Sequence, residues 1–165
     1  MAIYFFDSSG LVKRYVAEVG TAWTQELTEP SAGNGIFIAQ ITGVEVIAAI
    51  NRRASGGTPS ISKADAAKAI TEFRLDYASQ YNALEITDQI IAAAMTFAET
   101  YVLRGYDAVQ LAAAVAIHTQ LVSENAALGI ATAIGPVLTL ISSDTDLNDA
   151  AAAEGLAVDD ANNHP

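Results

Sequence analysis

Short apolar runs, typical of buried strands, alternate along the chain with longer stretches whose apolar residues recur at helical spacing. Strands are predicted at Ala2–Phe6, Ile36–Ala39, Leu84–Ile86, Pro136–Ile141 and Leu156–Val158. Helices are predicted at Leu11–Glu18, Thr21–Leu27, Thr42–Arg53, Ser62–Tyr81, Thr87–Val102, Asp107–Ser123 and Thr145–Glu154. Because parallel strands need crossover connections, this order predicts an α/β fold, a three-layer α/β/α sandwich with a central parallel sheet.

Loop-forming residues separate these segments, and the whole pattern fits a single domain. Pro30–Gly35 and Ser55–Pro59 are the clearest loop signals in the first half of the chain. A length of 165 residues, 52% of them hydrophobic, suits one cored domain and is short for two. We expect this domain to span residues 1–158, and we expect Asp159–Pro165 to be a disordered C-terminal tail.

Composition limits the chemistry that the chain can support. It has no cysteine, and its two histidines, His118 and His164, are too far apart in sequence to suggest a histidine metal cluster. A metal ion would therefore be held by oxygen atoms. No apolar run reaches the roughly 20 residues of a membrane-spanning helix, and the first residues lack a basic segment followed by a cleavage site, so we expect a cytoplasmic protein with no membrane partner.

The formal charge of −11 argues against non-specific binding to nucleic acid, since phosphate affinity normally comes from clustered lysine and arginine. The last of these residues is Arg104, so the final third of the chain carries acidic residues without cationic ones. A nucleic-acid ligand would therefore require a local basic patch, or metal ions that neutralise part of the excess charge.

Acidic residues follow the predicted strands. Asp7 comes directly after the first strand, Glu45 lies in the first turn of the helix after the second, and Asp144 follows the strand that ends at Ile141. Because the carboxyl ends of parallel strands meet at one edge, these three carboxylates are expected there together. Asp107 begins a strongly apolar helix that has no strand before it, so spacing alone does not place it.

Carboxylates that converge at one edge repel each other unless a cation is present, and Mg²⁺ or Mn²⁺ prefers oxygen ligands. In phosphodiester cleavage such an ion activates water and stabilises the leaving oxygen. Each acid also has a simpler explanation. Thr42 and Glu45 have the spacing of a capping box, and Asp7, Asp107 and Asp144 could each cap a helix. The conjunction of all four favours a metal site.

Several segments resemble the PIN-domain family, particularly the toxin halves of VapBC-type toxin–antitoxin pairs. The resemblance extends across nearly the whole chain, and its first and third segments are the most specific. The segments are Tyr4–Tyr15, Thr42–Glu45, Arg104–Ala114, Ile141–Ala151 and Glu154–Leu156.

The resemblance implies a Mg²⁺- or Mn²⁺-dependent endoribonuclease, the toxin of a type II toxin–antitoxin system, which hydrolyses RNA with a metal-activated water. It also implies a cognate antitoxin partner and a homodimer. The implied metal ligands are Asp7, Glu45, Asp107 and Asp144, and Asp146 is an alternative to Asp144 as the fourth.

The same resemblance suggests residues that contact substrate or water. Ser8 or Ser9 would position a metal-bound water, although both also suit a helix cap. The cationic residues near the expected site are the candidates for phosphate contacts, but Lys13 and Arg14 equally suit a solvated helix face. The candidates are Lys13, Arg14, Arg52, Arg53 and Arg104.

Three other functions fit part of this pattern. An aspartyl phosphatase would need a second acid two residues after Asp7, where Ser9 stands, and a late lysine that the chain lacks. A receiver-like Mg²⁺-binding signalling domain also needs that lysine. A catalytically inactive PIN-like interaction protein shares every feature and stays open. His118, Tyr15 and Trp23 suit structural positions better than catalytic ones.

Overall fold

A computed structural model of the chain describes residues 2–55, 58, 60–129 and 135–164. Its strands are β1 (Ile3–Phe6), β2 (Gly35–Ala39), β3 (Asn82–Leu84), β4 (Thr139–Ile141) and β5 (Ala157–Asp159). They form one sheet in the order β3-β2-β1-β4-β5, and every pairing is parallel. The predicted parallel sheet is confirmed.

Helices connect the strands as crossovers. They are α1 (Ser8–Leu11), α2 (Thr21–Thr28), α3 (Gln40–Arg53), α4 (Lys63–Ser79), α5 (Asp88–Tyr101), α6 (Gly105–Ala127) and α7 (Thr145–Ala153). Short 3-10 turns lie at Val12–Arg14, Pro30–Ala32 and Ala161–Asn163. Within the described ranges, none of these helices is both long and apolar enough to cross a membrane.

Two apolar cores lie on opposite faces of the sheet. Successive strand residues point to opposite faces, so Phe6 packs in one core and its neighbour Phe5 in the other. The Phe6 core includes Ile50 of α3 and Phe73 of α4. The Phe5 core is formed with buried residues of α6 and α7. The chain is therefore a three-layer α/β/α sandwich, as predicted.

The central position of β1 brings two strand ends together. Phe6 of β1 pairs with Ile141 of β4, and the Asp7 backbone N–H donates to the Ile141 carbonyl at 3.0 Å. The short helix α1 then crosses close above β4. A Cβ added to Gly10 would lie 2.8 Å from the Ile141 carbonyl oxygen, so this close approach requires glycine.

Several predicted boundaries differ from the observed ones. The helix predicted at Leu11–Glu18 is instead α1 followed by a 3-10 turn, because the Asp7 side chain caps a helix that begins at Ser8. The strand predicted at Leu84–Ile86 lies two residues earlier, where it pairs with β2. Of the predicted loop Ser55–Pro59, positions 56, 57 and 59 lie outside the described residues.

Residues 159–164 differ most from their prediction, because they form a strand end and a 3-10 turn where we expected a disordered tail. Asp159 completes β5, and the 3-10 turn that follows buries Ala161 completely. Ala161 packs so closely on Gly20 that a Cβ there would lie 2.2 Å from the Ala161 carbonyl oxygen. His164 stacks on Trp23 with 4.0 Å between ring centroids. These contacts are long-range, and a polar composition does not reveal them.

Candidate active site

Asp7 is a buried carboxylate at the carboxyl end of β1, with only 4% of its surface exposed. Its Oδ2 accepts hydrogen bonds from the Ser9 backbone N–H at 3.2 Å, from Ser9 Oγ at 2.7 Å and from Ser142 Oγ at 3.1 Å. All of the hydrogen bonds found for this side chain within the described ranges go to Oδ2. Asp7 is therefore the cap of α1, and Oδ1 remains available to a ligand.

Ser142 and Ser143 join the ends of β1 and β4. The fully buried Ser142 also accepts a hydrogen bond from the Asp144 backbone N–H at 3.0 Å. The backbone N–H of Ser143 donates to Ser9 Oγ at 2.9 Å. Asp7, Ser9 and Asp144 are thus held in one hydrogen-bonded cluster, and of the two serines that follow Asp7, Ser9 is the one that contacts it.

Glu45 lies in the second turn of α3, because that helix begins at Gln40. The expected capping box is wrong, since the cap is Ala39 and Thr42 bonds elsewhere. Gln110 Nε2 donates to Glu45 Oε2 at 2.6 Å and to Thr42 Oγ1 at 2.9 Å. Glu45 is therefore oriented by a buried amide, and no hydrogen bond of the described residues reaches its Oε1.

Electrostatics place Glu45 near two other acids. Burial is the main cause that raises the pKa of Glu45 above its ordinary value, and repulsion from Asp7 and Asp107 raises it further. The hydrogen bond from Gln110 and the positive charge of Arg52 act in the opposite direction on this pKa. Glu45 therefore shares an electrostatic environment with Asp7 and Asp107, although the three come from different elements.

Asp107 lies in the first turn of α6 and does not cap it, because Arg104 occupies the cap position. Burial raises the pKa of Asp107 to about 6, and repulsion from Asp144 and Asp7 contributes after burial. Arg104 lowers this pKa, and Asp146 raises it slightly. Asp107 therefore interacts electrostatically with Asp7 and Asp144, which follow strand ends, and sequence spacing could not establish this.

Asp144 and Asp146 differ in their surroundings. Asp144 caps α7, accepting a hydrogen bond at Oδ1 from the Leu147 backbone N–H at 3.0 Å. Asp146 lies in the first turn of the same helix with an exposed side chain. Asp144 raises the pKa of Asp107 more than Asp146 does. The position of Asp144 therefore favours it over Asp146 as the fourth acid beside Asp7, Glu45 and Asp107.

These acids share an edge without forming a tight cluster. Among residues 2–55, 58, 60–129 and 135–164, no three Asp, Glu or His side chains converge closely enough to hold a metal ion as they stand. Mutual repulsion disfavours closer approach. Magnesium is usually bound directly by only one or two carboxylates and keeps several waters, so this donor set fits such an ion.

The charged groups of Lys13 and Arg14 are bound to polar partners inside the protein. Lys13 is 4% exposed, and its Nζ donates to Asn162 Oδ1 at 2.8 Å. Arg14 donates to Asp76 Oδ2 at 3.0 Å and to Thr28 Oγ1 at 2.9 Å. The hypothesis that these two residues contact phosphate is corrected, because the 3-10 turn places both among internal polar partners. Their expected position on a solvated helix face is wrong for the same reason.

Tyr15 and Trp23 have structural roles. Tyr15 packs edge-on against Phe73 and hydrogen-bonds Asp76 and Tyr81. Trp23 packs against the core on one side and stacks with His164. Neither residue hydrogen-bonds to an acid of the candidate site within the described part of the chain.

The sequence pattern predicted no role for Gln110 or Ser142, and for Thr42 it predicted only a helix cap. Gln110 is the polar residue inside the run Ala108-Val109-Gln110-Leu111-Ala112, and a polar side chain in a buried helix needs a partner. That signal could have identified it. Ser142 precedes Asp144 by two residues, but an isolated serine after a strand carries no comparable signal.

Solved structures with a similar fold include three in which the alignment covers most of both chains. PAE2754 from Pyrobaculum aerophilum is 17% identical with a TM-score of 0.55, covering 98% of this chain and 91% of that one. A toxin–antitoxin complex from Klebsiella pneumoniae is 19% identical with a TM-score of 0.52, covering 88% and 89%. VapBC2 from Rickettsia felis, bound to a DNA fragment from its promoter, is 14% identical with a TM-score of 0.55, covering 96% and 98%.

Sequence comparison identifies the family. No curated protein sequence matches the chain. The family model that describes the PIN domain matches residues 4–153, which include Asp7, Glu45, Asp107, Asp144 and Asp146. This match spans most of the chain and agrees with the fold of the similar structures. The chain therefore belongs to the PIN domain family.

Proposed function

We propose that this protein is a Mg²⁺- or Mn²⁺-dependent endoribonuclease that hydrolyses phosphodiester bonds in RNA. The observation that carries the proposal is the group of acids from different elements at one sheet edge, where burial, followed by repulsion from Asp144 and Asp7, raises the pKa of Asp107 to about 6. Membership of the PIN domain family supports a nuclease activity. Acidic residues whose pKa values are shifted by burial and by neighbouring charges are typical of functional sites.

Four carboxylates would hold the ion in this proposal, directly or through the waters that it keeps. They are Asp7, Glu45, Asp107 and Asp144, with Asp146 as the alternative fourth ligand. When bound, a divalent cation offsets part of their charge, lowers the pKa of a coordinated water and stabilises the leaving oxygen. The chain would therefore need no side-chain nucleophile.

Hydrogen bonds prepare the carboxylates for this role. In Asp7, Glu45 and Asp144, one oxygen is fixed by a donor while the other accepts no hydrogen bond from the described residues. Ser9 and Ser142 fix the Asp7 carboxylate, and Gln110 fixes that of Glu45. Such supporting donors orient ligands and strengthen metal binding.

A cognate antitoxin protein is the proposed partner, which would make this chain the toxin of a type II pair. The similar structures described as a toxin–antitoxin complex and as VapBC2 support this partner. A groove of about 420 Å³ between α3 and α4 offers an apolar surface for it, lined among others by Val44, Ile47 and Tyr77. Val44 is 65% exposed and adjoins Glu45 in sequence, so a protein bound there would lie beside the acids.

A homodimer is the proposed assembly. Ile91 and Met95 lie one turn apart on α5 and are 43% and 64% exposed. An apolar pair of this kind on an outer helix suits a second copy of the chain. Sedimentation of the purified protein would measure the assembly directly, and a monomer at all concentrations would contradict it.

Cleavage of a labelled single-stranded RNA tests the proposed activity. We expect cleavage with Mg²⁺ or Mn²⁺, none in EDTA, and none by Asp7→Asn or Asp107→Asn protein that remains folded. Asp88→Asn is a matched control, because Asp88 is an exposed acid in the first turn of α5. Cleavage that persists in EDTA, or full activity of both site variants, would contradict the proposal. A folded wild-type protein that never cleaves would favour the inactive interaction protein.

A further inference from the structure

A second polar cavity adjoins the carboxylate edge. It has a volume of about 300 Å³ and lies between α1 and the end of α3. Ser8, Ser9 and Ser143 line one side, and Arg52 and Arg53 line the other. Because Ser9 also donates to Asp7, the cavity borders the acidic site directly.

The charge around this cavity is opposite to that of the chain. Three cationic side chains, Lys13, Arg52 and Arg53, line it together with one carboxylate, Glu18, which leaves an excess of two positive charges. The whole chain carries a formal charge of −11. A positive cavity in a strongly negative protein attracts an anionic group locally.

Among the described residues, Lys13 and Arg53 have charged partners and Arg52 has none. Glu18 pairs with Arg53 Nη2 at 2.9 Å and lies 3.6 Å from Lys13 Nζ, so it occupies both. The exposed guanidinium of Arg52 makes no hydrogen bond or ion pair within the described residues. The planar guanidinium donates paired hydrogen bonds that match the geometry of phosphate oxygens.

Ser8 supplies a second donor on the opposite wall. Its side chain is half-buried against the cavity, and its hydroxyl has no hydrogen-bond partner among the described residues. The hydroxyls of Ser9 and Ser143, in contrast, donate to Asp7 and to Asp160. An anion in the cavity would therefore meet Arg52 from one side and Ser8 from the other.

We propose that this cavity binds a backbone phosphate of the RNA strand next to the one that is cleaved, with Arg52 as its principal ligand and Ser8 as a second donor. The proposal rests on the proposed ribonuclease function and extends it. It also accounts for how a chain with a charge of −11 holds a polyanion, since the positive charge is concentrated beside the site.

RNA binding measured without divalent cations tests this site separately from catalysis. Fluorescence anisotropy of a labelled single-stranded RNA in EDTA would compare wild type with Arg52→Gln, Arg52→Lys and Lys63→Gln. Lys63 is the control because it is exposed on α4, does not line the cavity, and its loss changes the net charge equally. The salt dependence of binding and the kcat and KM for cleavage in Mg²⁺ complete the set.

We expect Arg52→Gln to weaken RNA binding about tenfold, as for a lost charge-assisted hydrogen bond. The slope of log affinity against log salt should fall by about 0.7 for a single strand. The defect should lie mainly in KM. Arg52→Lys should keep the salt slope with a smaller loss of affinity, because it keeps the charge without the planar fork. Lys63→Gln should match the wild type.

These measurements distinguish a failure of the proposed function from a failure of the phosphate site alone. Wild-type protein that neither binds nor cleaves RNA would overturn both this proposal and the proposed function. Wild-type protein that cleaves while Arg52→Gln retains full affinity and the full salt slope would overturn only the phosphate site. The second result together with weaker antitoxin binding by Arg52→Gln would assign Arg52 to an acidic side chain of the protein partner instead.

Discussion

Gln110 of α6 donates a hydrogen bond of 2.6 Å to Oε2 of Glu45 on α3. The two helices belong to different layers of the sandwich, because α3 packs in the Phe6 core and α6 in the Phe5 core. Gln110 is fully buried and also donates to Thr42 in the first turn of α3. One amide side chain therefore connects the two helical layers at the carboxyl edge and fixes the orientation of an acid there.

Replacing Gln110 should weaken metal binding as well as stability. Gln110→Leu leaves Thr42 and Glu45 without their buried donor, which we expect to cost about 1–3 kcal/mol of the free energy of unfolding. Loss of a supporting donor should lower Mn²⁺ affinity by about tenfold or more. Urea unfolding and calorimetric Mn²⁺ titration measure the two effects. Gln120→Leu, an exposed change on the same helix, should alter neither. Unchanged Mn²⁺ affinity in Gln110→Leu would contradict the orienting role.

The raised pKa of Asp107 predicts a pH dependence of stability in the metal-free protein. Its pKa is about 6 in the folded chain, against about 3.9 for an unfolded aspartate. The native state therefore binds more protons between these values, so the free energy of unfolding should fall as pH rises from about 4 to about 6. Asp107→Asn should remove this part of the decline and be the more stable protein at pH 7. Urea unfolding at several pH values measures the free energy of unfolding of wild type and Asp107→Asn. If the two values change in parallel between about pH 4 and about pH 6, Asp107 does not titrate as described.

Gly10 should not tolerate a side chain. In Gly10→Ala the new Cβ would meet the Ile141 carbonyl oxygen at 2.8 Å, so α1 must shift away from β4. We expect a loss of about 1–3 kcal/mol in the free energy of unfolding, as for other overpacked sites. Gly105→Ala is the control, because nothing lies within 4 Å of its added Cβ. Thermal unfolding compares the two variants, and equal melting temperatures would exclude the close approach as a constraint.

A substitution in the groove between α3 and α4 should abolish antitoxin binding without affecting RNA cleavage. Val44→Asp should prevent copurification with the proposed antitoxin when the two are coexpressed, since it places a charge in an apolar groove. RNA cleavage by the isolated chain should persist. Leu75→Asp is matched, because Leu75 is 66% exposed on α4, against 65% for Val44, and lies outside the groove. If the Val44→Asp protein still copurifies with the antitoxin, the antitoxin binds to another surface.

The sequence pattern was sufficient to predict the three layers of the fold and some of the residues of the candidate site. Short apolar runs predicted the strands because buried parallel strands have no polar face, and strand ends located Asp7 and Asp144. Asp107 was different, since no strand precedes it and only the resemblance assigned it to the site. The roles of Lys13 and Asn162 could not be predicted, because they pair across 149 positions of the chain. Local periodicity carries no information about such long-range contacts. For the same reason, the sequence pattern predicted a disordered tail, whereas residues 159–164 pack against the rest of the domain.

Manganese binding at the acidic edge is the most direct test of the central claim. A crystal of the protein soaked in Mn²⁺ should give an anomalous density peak contacted by at least two of Asp7, Glu45, Asp107 and Asp144. The same soak of Asp107→Asn crystals should give a weaker peak or none. Absence of the peak in wild-type crystals, or a peak that none of these four carboxylates contacts, would contradict the metal site and with it the proposed nuclease.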